Sequence, residues 1–192
     1  LDIGSSDSTF LNFFSNEKKN YNCFGIDPSA KKYSNYYNDD VNLIVDYFSA
    51  KAVNNRLEKI KLKNKKFKLI SSFAMFYDID DPNKFCKDIY NLLEKNGLWI
   101  LEMSHFPMLL SNLTYDQICH EHVTYYTLNV FKKIAEKNKL KVIDFSFNII
   151  NGGSIEIVCA PNKSKIKANS KKIKNQILLE NRIANKDYSK FN

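Results

Sequence analysis

Two stretches of this chain hold residues whose types and spacing could do chemistry. The first is Tyr115-Asp116-Gln117-Ile118-Cys119-His120-Glu121-His122-Val123-Thr124-Tyr125-Tyr126, with two of the three histidines. Imidazole changes charge near neutral pH, so it is suited to accept a proton, and a neighbouring carboxylate can orient it and stabilise the imidazolium. A metal centre would need more ligands than this block supplies. It has no H-E-x-x-H spacing and no paired cysteines nearby, so no metal is expected. Two readings stay open: histidines that bond to backbone in a structural loop, or a general base drawn from His120 and His122 beside Glu121.

The second stretch is Leu1–Thr9. Apolar Leu1 and Ile3 lead into Gly4, a polar turn follows, and an apolar run begins at Phe10. A strand, a tight turn and a helix start form the junction where α/β proteins hold nucleotide-like ligands. Gly4 lets the backbone approach a ligand, and Ser8 or Thr9 can cap the helix. A dinucleotide turn would read G-x-G-x-x-G, whereas Gly4-Ser5-Ser6-Asp7-Ser8-Thr9 keeps one glycine and adds a carboxylate that repels pyrophosphate. Asp2 and Asp7 instead suit a cation, such as the ammonium and sulfonium of S-adenosylmethionine. Cys23–Asp27 reads as the second strand, ending in an acid placed to accept hydrogen bonds from ribose hydroxyls. The alternative is an ordinary βαβ turn with incidental acids.

These stretches need a sheet to position them. The pattern predicts helix Ser8–Lys18, a short helix opened by Pro28, strand Val41–Val45, a polar helix from Ala50 to about Leu62, and strand Phe67–Phe73. Asp81-Pro82 opens a helix through Glu94 that Asn96-Gly97 stops, and Leu98–Met103 is the next strand. The long connection Ser104–Tyr126 precedes helix Leu128–Asn138, and strands Lys141–Phe147 and Ser154–Ala160 flank a hairpin turn at Asn151-Gly152-Gly153. This alternation predicts an α/β fold, a Rossmann-like doubly wound seven-stranded sheet with a terminal β-hairpin. Ligands of such sheets lie outside the strand carboxyl ends, which makes Asp46–Phe48 and Phe73–Tyr77, with Ala74 and Met75 between, candidate walls of the adenine and methionine pockets.

Composition narrows the function classes. Of 29 Lys and Arg and 21 Asp and Glu, residues 161–192 hold nine and two, a net +7, which leaves +1 for the rest. The basic tail reads as the solvated face of an amphipathic helix (Ile166, Ile173, Ile177, Leu178) cut off before its partner, rather than a grip on nucleic acid. No apolar run reaches membrane-spanning length. Cys23, Cys86, Cys119 and Cys159 stand apart without a CxxC pair, as isolated thiols of a reducing, cytoplasmic setting. The chain opens inside a strand without methionine and is expected to be a fragment. Its predicted organisation is a domain over residues 1–160 and a basic tail over 161–192.

Leu1–Thr9 with Gly25–Asp27 resembles the class I S-adenosylmethionine-dependent methyltransferases. Tyr115–Tyr126, Asn151-Gly152-Gly153-Ser154 and Ile70–Pro82 resemble one branch of them, the sugar C-methyltransferases that act on nucleotide-linked ketosugars. The resemblance spans nearly all of residues 1–160. It implies a methyl donor held by Asp2, Gly4, Ser5, Ser6, Asp7, Asp27, Pro28, Asp46, Phe48, Phe73, Ala74 and Met75. It implies further that His122 removes a proton from a sugar carbon next to a ketone, with Glu121 a neighbour that binds substrate or orients it and His120 in the same catalytic group. Tyr126, Asn151 and Gly152 would then meet a small-molecule substrate, a nucleoside diphosphate deoxysugar. Cys119 stands where some members have tyrosine, and Ser8 where a glycine is usual. Relatives also carry an amino-terminal cysteine-rich zinc region and a further carboxyl-terminal domain. If those parts hold the sugar nucleotide, this stretch alone binds donor without turnover. Methylation of oxygen or nitrogen on another small molecule is the competing enzymatic reading, and a basic nucleic-acid module the non-enzymatic one.

Overall fold

The computed structural model describes residues 1–15 and 21–184. Seven strands, β1 (Asp2–Ile3), β2 (Cys23–Ile26), β3 (Val41–Ile44), β4 (Phe67–Phe73), β5 (Leu93–Ser104), β6 (Leu140–Asn148) and β7 (Ser154–Pro161), form one sheet in the order β3-β2-β1-β4-β5-β7-β6. The first five are parallel, β7 runs antiparallel to β5, and β6 pairs antiparallel with β7 as the predicted terminal hairpin. The strand order reverses between β1 and β4, the crevice where open α/β sheets bind ligands.

Among the described residues six α-helices accompany the sheet: α1 (Thr9–Ser15), α2 (Ala50–Lys59), α3 (Pro82–Leu92), α4 (Phe106–Asn112), α5 (Leu128–Lys137) and, after the last strand, α6 (Ser170–Ala184). Ser49, Asp81 and Thr127 cap α2, α3 and α5 by accepting from the amides of Ala52, Lys84 and Val130. The expected helix Ser8–Lys18 is α1 up to Ser15, and the remainder lies outside the described residues. The helix expected from Pro28 is a 3-10 turn, Ala30–Tyr36, set back by Ser29.

The largest departure is at Asn96-Gly97, predicted to stop a helix. The chain already turns extended at Leu93, and both residues lie inside β5, where the pairing with β4 shifts register. A Cβ on Gly97 would sit 2.7 Å from the Phe67 carbonyl oxygen, so the glycine serves close strand approach at an irregularity.

One buried cluster contains Phe76, Phe85, Trp99, Tyr126 and Phe131 between the sheet and the neighbouring helices α2, α3 and α5. A smaller one of Leu11, Cys23 and Val41 lies under α1. The tail is not partnerless. Pro161 ends β7, Ile173 is buried in the main core, and α6 packs on α5 and β6. The predicted boundary at residue 160 therefore cuts through one shared core. Of the expected apolar stripe, Leu178 is half exposed. Lys172, one of the tail cations, pairs with Asp144 at 2.8 Å.

Candidate active site

The turn after β1 is built as a fixed loop. Gly4 adopts φ +73° and donates its amide to the Ile26 carbonyl at 2.9 Å, a conformation glycine takes at no steric cost. Ser6 and Ser8 are also left-handed, at φ +43° and +67°. Ser8 is buried and its hydroxyl donates to Asn12 Oδ1 at 3.0 Å, so it does not cap through its side chain. Asp7 does that instead, accepting from the Thr9 amide at 3.1 Å, and hydrogen bonds from Thr9 hold its exposed carboxyl below the usual range. Gly25 on β2 admits the turn, since a Cβ there would lie 2.6 Å from Ser5 Oγ.

Asp27, at the end of β2, is buried and ties this turn together. Its Oδ2 accepts from the Ser6 amide at 3.0 Å, and its Oδ1 from the Ser29 amide and hydroxyl at 2.6 and 2.7 Å. A carboxylate has about four lone-pair sites, so Oδ2 keeps room for one further donor. Pro28 beside it is exposed. Asp2 is buried within β1 and accepts from the Ser71 hydroxyl at 2.7 Å. Burial pushes its carboxyl up to about 6 against that bond, and the Asp27 charge adds to the rise.

The end of β4 joins this turn to the histidine block. Ala74 takes φ +51° and donates to the Glu102 carbonyl, and the Met75 side chain comes within 3.6 Å of where a Cβ on Gly4 would lie. Two residues on, the Tyr77 ring lies 4.2 Å, centroid to centroid, from the His122 imidazole. Burial pushes the Tyr77 hydroxyl up to about 12, so it stays protonated. Gly4, Asp27, Met75 and His122 therefore share the carboxyl edge of the sheet.

His122 is half-buried, and its Nδ1 lies 2.8 Å from the Gln117 carbonyl oxygen. A carbonyl only accepts, so Nδ1 carries the proton and Nε2 of the neutral ring keeps its lone pair. The same carbonyl accepts from the Tyr125 hydroxyl at 3.1 Å. The expectation that a neighbouring carboxylate orients the ring is therefore corrected, because backbone does so. Glu121 is exposed, and its carboxyl is held low by a backbone amide and Cys119. His120 is exposed as well. Burial raises the Asp78 carboxyl, with His122 opposing and Glu121 adding.

Six other expected site residues are placed differently. Tyr126 is 1% exposed and packs 5.2 Å from Phe76, a core residue with no face for substrate. Phe48 packs against Phe85 and the core margin, and Phe73 against Phe10, each by ring contact. Asp46 is exposed and accepts from the Tyr47 amide. Asn151, at φ +51°, is exposed, and the Gly152 carbonyl accepts from Asn112 at 2.7 Å, so the hairpin tip is packed on α4. Sequence reasoning missed Tyr37, whose hydroxyl bonds Ser5 Oγ and the Ser6 carbonyl at 2.8 and 3.0 Å. It also missed Gln117, which acts through backbone and leaves no side-chain signal.

Residues 1–144 match the family described as Methyltransferase domain. The chain belongs to this methyltransferase-domain family. Among curated proteins it is similar to the C-methyltransferase NovU of Streptomyces niveus, 28% identical over 162 residues that cover 84% of this chain and 37% of that protein. The chain thus spans little more than a third of that relative. Among solved structures, the plantazolicin methyltransferase BpumL with a desmethylPZN analogue and S-adenosylhomocysteine superposes at TM-score 0.61, with 15% identity and 84% and 75% of the two chains covered. The N-methyltransferase NodS of Bradyrhizobium japonicum superposes at 0.55, with 11% identity and 83% of each chain covered. These likenesses establish the fold of this methyltransferase domain as the class I type. A cavity of about 520 Å³ at the opposite, amino-terminal ends of β1, β2 and β4 lies away from the site. Among the described residues no helix is long and apolar enough to cross a membrane, and no cluster of three His, Cys, Asp or Glu could hold a metal.

Proposed function

We propose that this domain serves an S-adenosylmethionine-dependent C-methyltransferase whose acceptor carbon lies next to a ketone, on a nucleoside diphosphate-linked deoxysugar. The observation that carries the proposal is the hydrogen bond from His122 Nδ1 to the Gln117 carbonyl, which leaves Nε2 free to take a proton at the sheet edge that Gly4 and Asp27 share. Carbon becomes a nucleophile only after losing a proton, whereas many oxygen and nitrogen acceptors need proximity alone. Bound S-adenosylmethionine supplies an electrophilic methyl on a positively charged sulfur.

The chain's residues fit such a donor. Asp2 and Asp27 bring negative charge to the turn, Asp27 has a lone pair to spare for a hydroxyl, and Met75 gives an apolar contact beside Gly4. His122 Nε2 takes the proton from the acceptor carbon, and the C–H electron pair passes into the enolate. Tyr77 and the Gln117 carbonyl hold the imidazole in place during that transfer. An apolar groove of about 130 Å³ lined by Phe106, Leu109, Ile118 and Tyr125 borders the base and gives the acceptor an apolar wall. The relationship to NovU supports carbon as the methylated atom.

The test is solvent exchange. With a nucleoside diphosphate-linked ketosugar and S-adenosylhomocysteine, the full-length protein should place deuterium from D₂O on the acceptor carbon, and His122→Ala should abolish this. Methyl transfer without such exchange, or exchange that survives His122→Ala, would refute the assignment.

A further inference from the structure

We propose that Glu180, on α6, is a positioning residue for the His122 loop, a clasp that fastens both ends of that loop with one carboxylate. The inference rests on the reading of His122 as the base. Glu180 Oε1 lies 2.9 Å from His105 Nε2, at the end of β5, and also 2.9 Å from the Leu128 amide, at the start of α5. Its Oε2 accepts from the Asn129 amide at 2.9 Å. Residues 106–127, with Gln117 and His122 among them, are the chain between these anchor points.

Several features favour a clasp over a simple helix cap. Glu180 and His105 are 3% and 2% exposed, and a carboxylate leaves water at high cost unless its lone pairs are met. Three donors from two other segments meet them. Burial acts to raise the Glu180 carboxyl, yet the bonds from His105, Asn129 and Leu128 hold it below its usual range. α5 already has a cap in Thr127, so the bond to His105 adds something that capping does not need. The loop ends also meet directly, with the Phe106 amide donating to the Tyr126 carbonyl at 3.0 Å. His105 Nδ1 is buried without a hydrogen-bond partner, so Glu180 supplies the side-chain hydrogen bond that orients this ring among the described residues, beside its contact with Phe147 at 4.9 Å.

The consequence concerns the base. A loop released at both ends lets His122 drift, and a displacement of about 1 Å in a reacting group can cost ~10²-fold in rate. Among the described residues the hydrogen-bond and ring partners of Glu180 and His105 are each other, Leu128, Asn129, Phe147 and backbone near them, none of them in the donor turn, so donor affinity should not depend on the clasp.

The experiment uses full-length protein as wild type, Glu180→Gln and Val53→Ala, the last a core truncation in α2, remote from the loop. Gln keeps the volume but presents an amide donor where the carboxylate accepts. Hydrogen–deuterium exchange should accelerate at least tenfold across residues 106–129 in Glu180→Gln, with β4 amides unchanged. Val53→Ala should not show that local pattern. Turnover of a nucleoside diphosphate-linked ketosugar should fall in kcat by about tenfold to a hundredfold, with KM for S-adenosylmethionine unchanged. Unaltered loop exchange in Glu180→Gln, or equal loosening by Val53→Ala, would overturn the clasp. If Glu180→Gln does not fold, His105→Leu cuts only the β5 anchor, and unchanged loop exchange there would overturn it equally. Local loosening in a protein whose wild type never exchanges the acceptor proton supports the clasp and refutes the base assignment instead.

Discussion

The imidazole of His122 is held by the backbone of Gln117, five residues earlier in its own loop, with Nδ1 2.8 Å from the carbonyl oxygen. The arrangement fixes the tautomer without a buried acid, so the ring's hydrogen bond is set by the path of the loop rather than by a carboxylate. Tyr77 packs against the same ring from the β4 side, tilted by 52°. A half-buried imidazole so placed adds little to the core, and its truncation separates chemistry from folding.

His122→Ala is therefore expected to lower methyl transfer by about 10²- to 10⁴-fold, the usual share of a general base. Stability should fall by only about 1 kcal/mol, from the lost ring contact with Tyr77. Steady-state turnover beside a denaturant melt, with donor binding followed by calorimetry, checks all three. An equal loss of donor binding would make the ring a ligand contact instead.

Asp27 is expected to act on the donor side alone. Asp27→Ala removes an acceptor shared by the Ser6 amide and by both donors of Ser29, at a cost of about 1–3 kcal/mol for donors left unpaired. Affinity for S-adenosylhomocysteine should drop more than tenfold, because the turn loses its tie to β2. Asp27→Asn should fall between, since its amide keeps one oxygen for Ser29 but presents a donor to the Ser6 amide. Isothermal titration of the three proteins would reveal that order.

Much of this was legible because it is local. The Leu1–Thr9 pattern, the strands and the hairpin follow from periodicity and turn residues, and every strand but β5, which starts at Leu93 rather than Leu98, falls close to its predicted range. Asn96-Gly97 misled because the same pair that stops a helix can also break the register of a strand. Tyr126 looked like a site residue from its place in the histidine block, yet the strand-like bridge to His105 turns it into the core. Gln117 acts through its carbonyl and Glu180 lies 75 residues from His105, so neither had a local signature.

The hairpin tip offers a packing test. Gly152 has φ +76°, and a Cβ there would lie 2.1 Å from Thr114 Cγ2 and 2.8 Å from Thr114 Cβ. Gly152→Ala should destabilise the protein by about 1–3 kcal/mol through overpacking and the left-handed backbone. Adding Thr114→Ala should recover part of that, since it removes the nearer atom but not Cβ. A double-mutant cycle by urea denaturation measures the coupling, and strict additivity would mean that the tip can move away from α4.

Asp2 ties stability to pH in a direction opposite to most carboxylates. Burial holds its folded-state pKa near 6, against an ordinary value of 3.8. Between those values the folded protein binds more protons at this site than the unfolded chain, so stability falls as pH rises through the window. The full difference is at most about 3 kcal/mol, complete above pH 6. Asp2→Asn keeps an acceptor for the Ser71 hydroxyl and removes the ionisation. It should therefore flatten the pH dependence of the melting temperature between pH 4 and 6 and raise that temperature at pH 7. The same substitution takes a negative charge from the turn, so the variant that is more stable at pH 7 should bind the positively charged S-adenosylmethionine more weakly. Uncharged-sulfur S-adenosylhomocysteine should lose less, and comparing the two ligands by titration isolates the charge. Equal losses for both would mean that Asp2 shapes the turn rather than its electrostatic field.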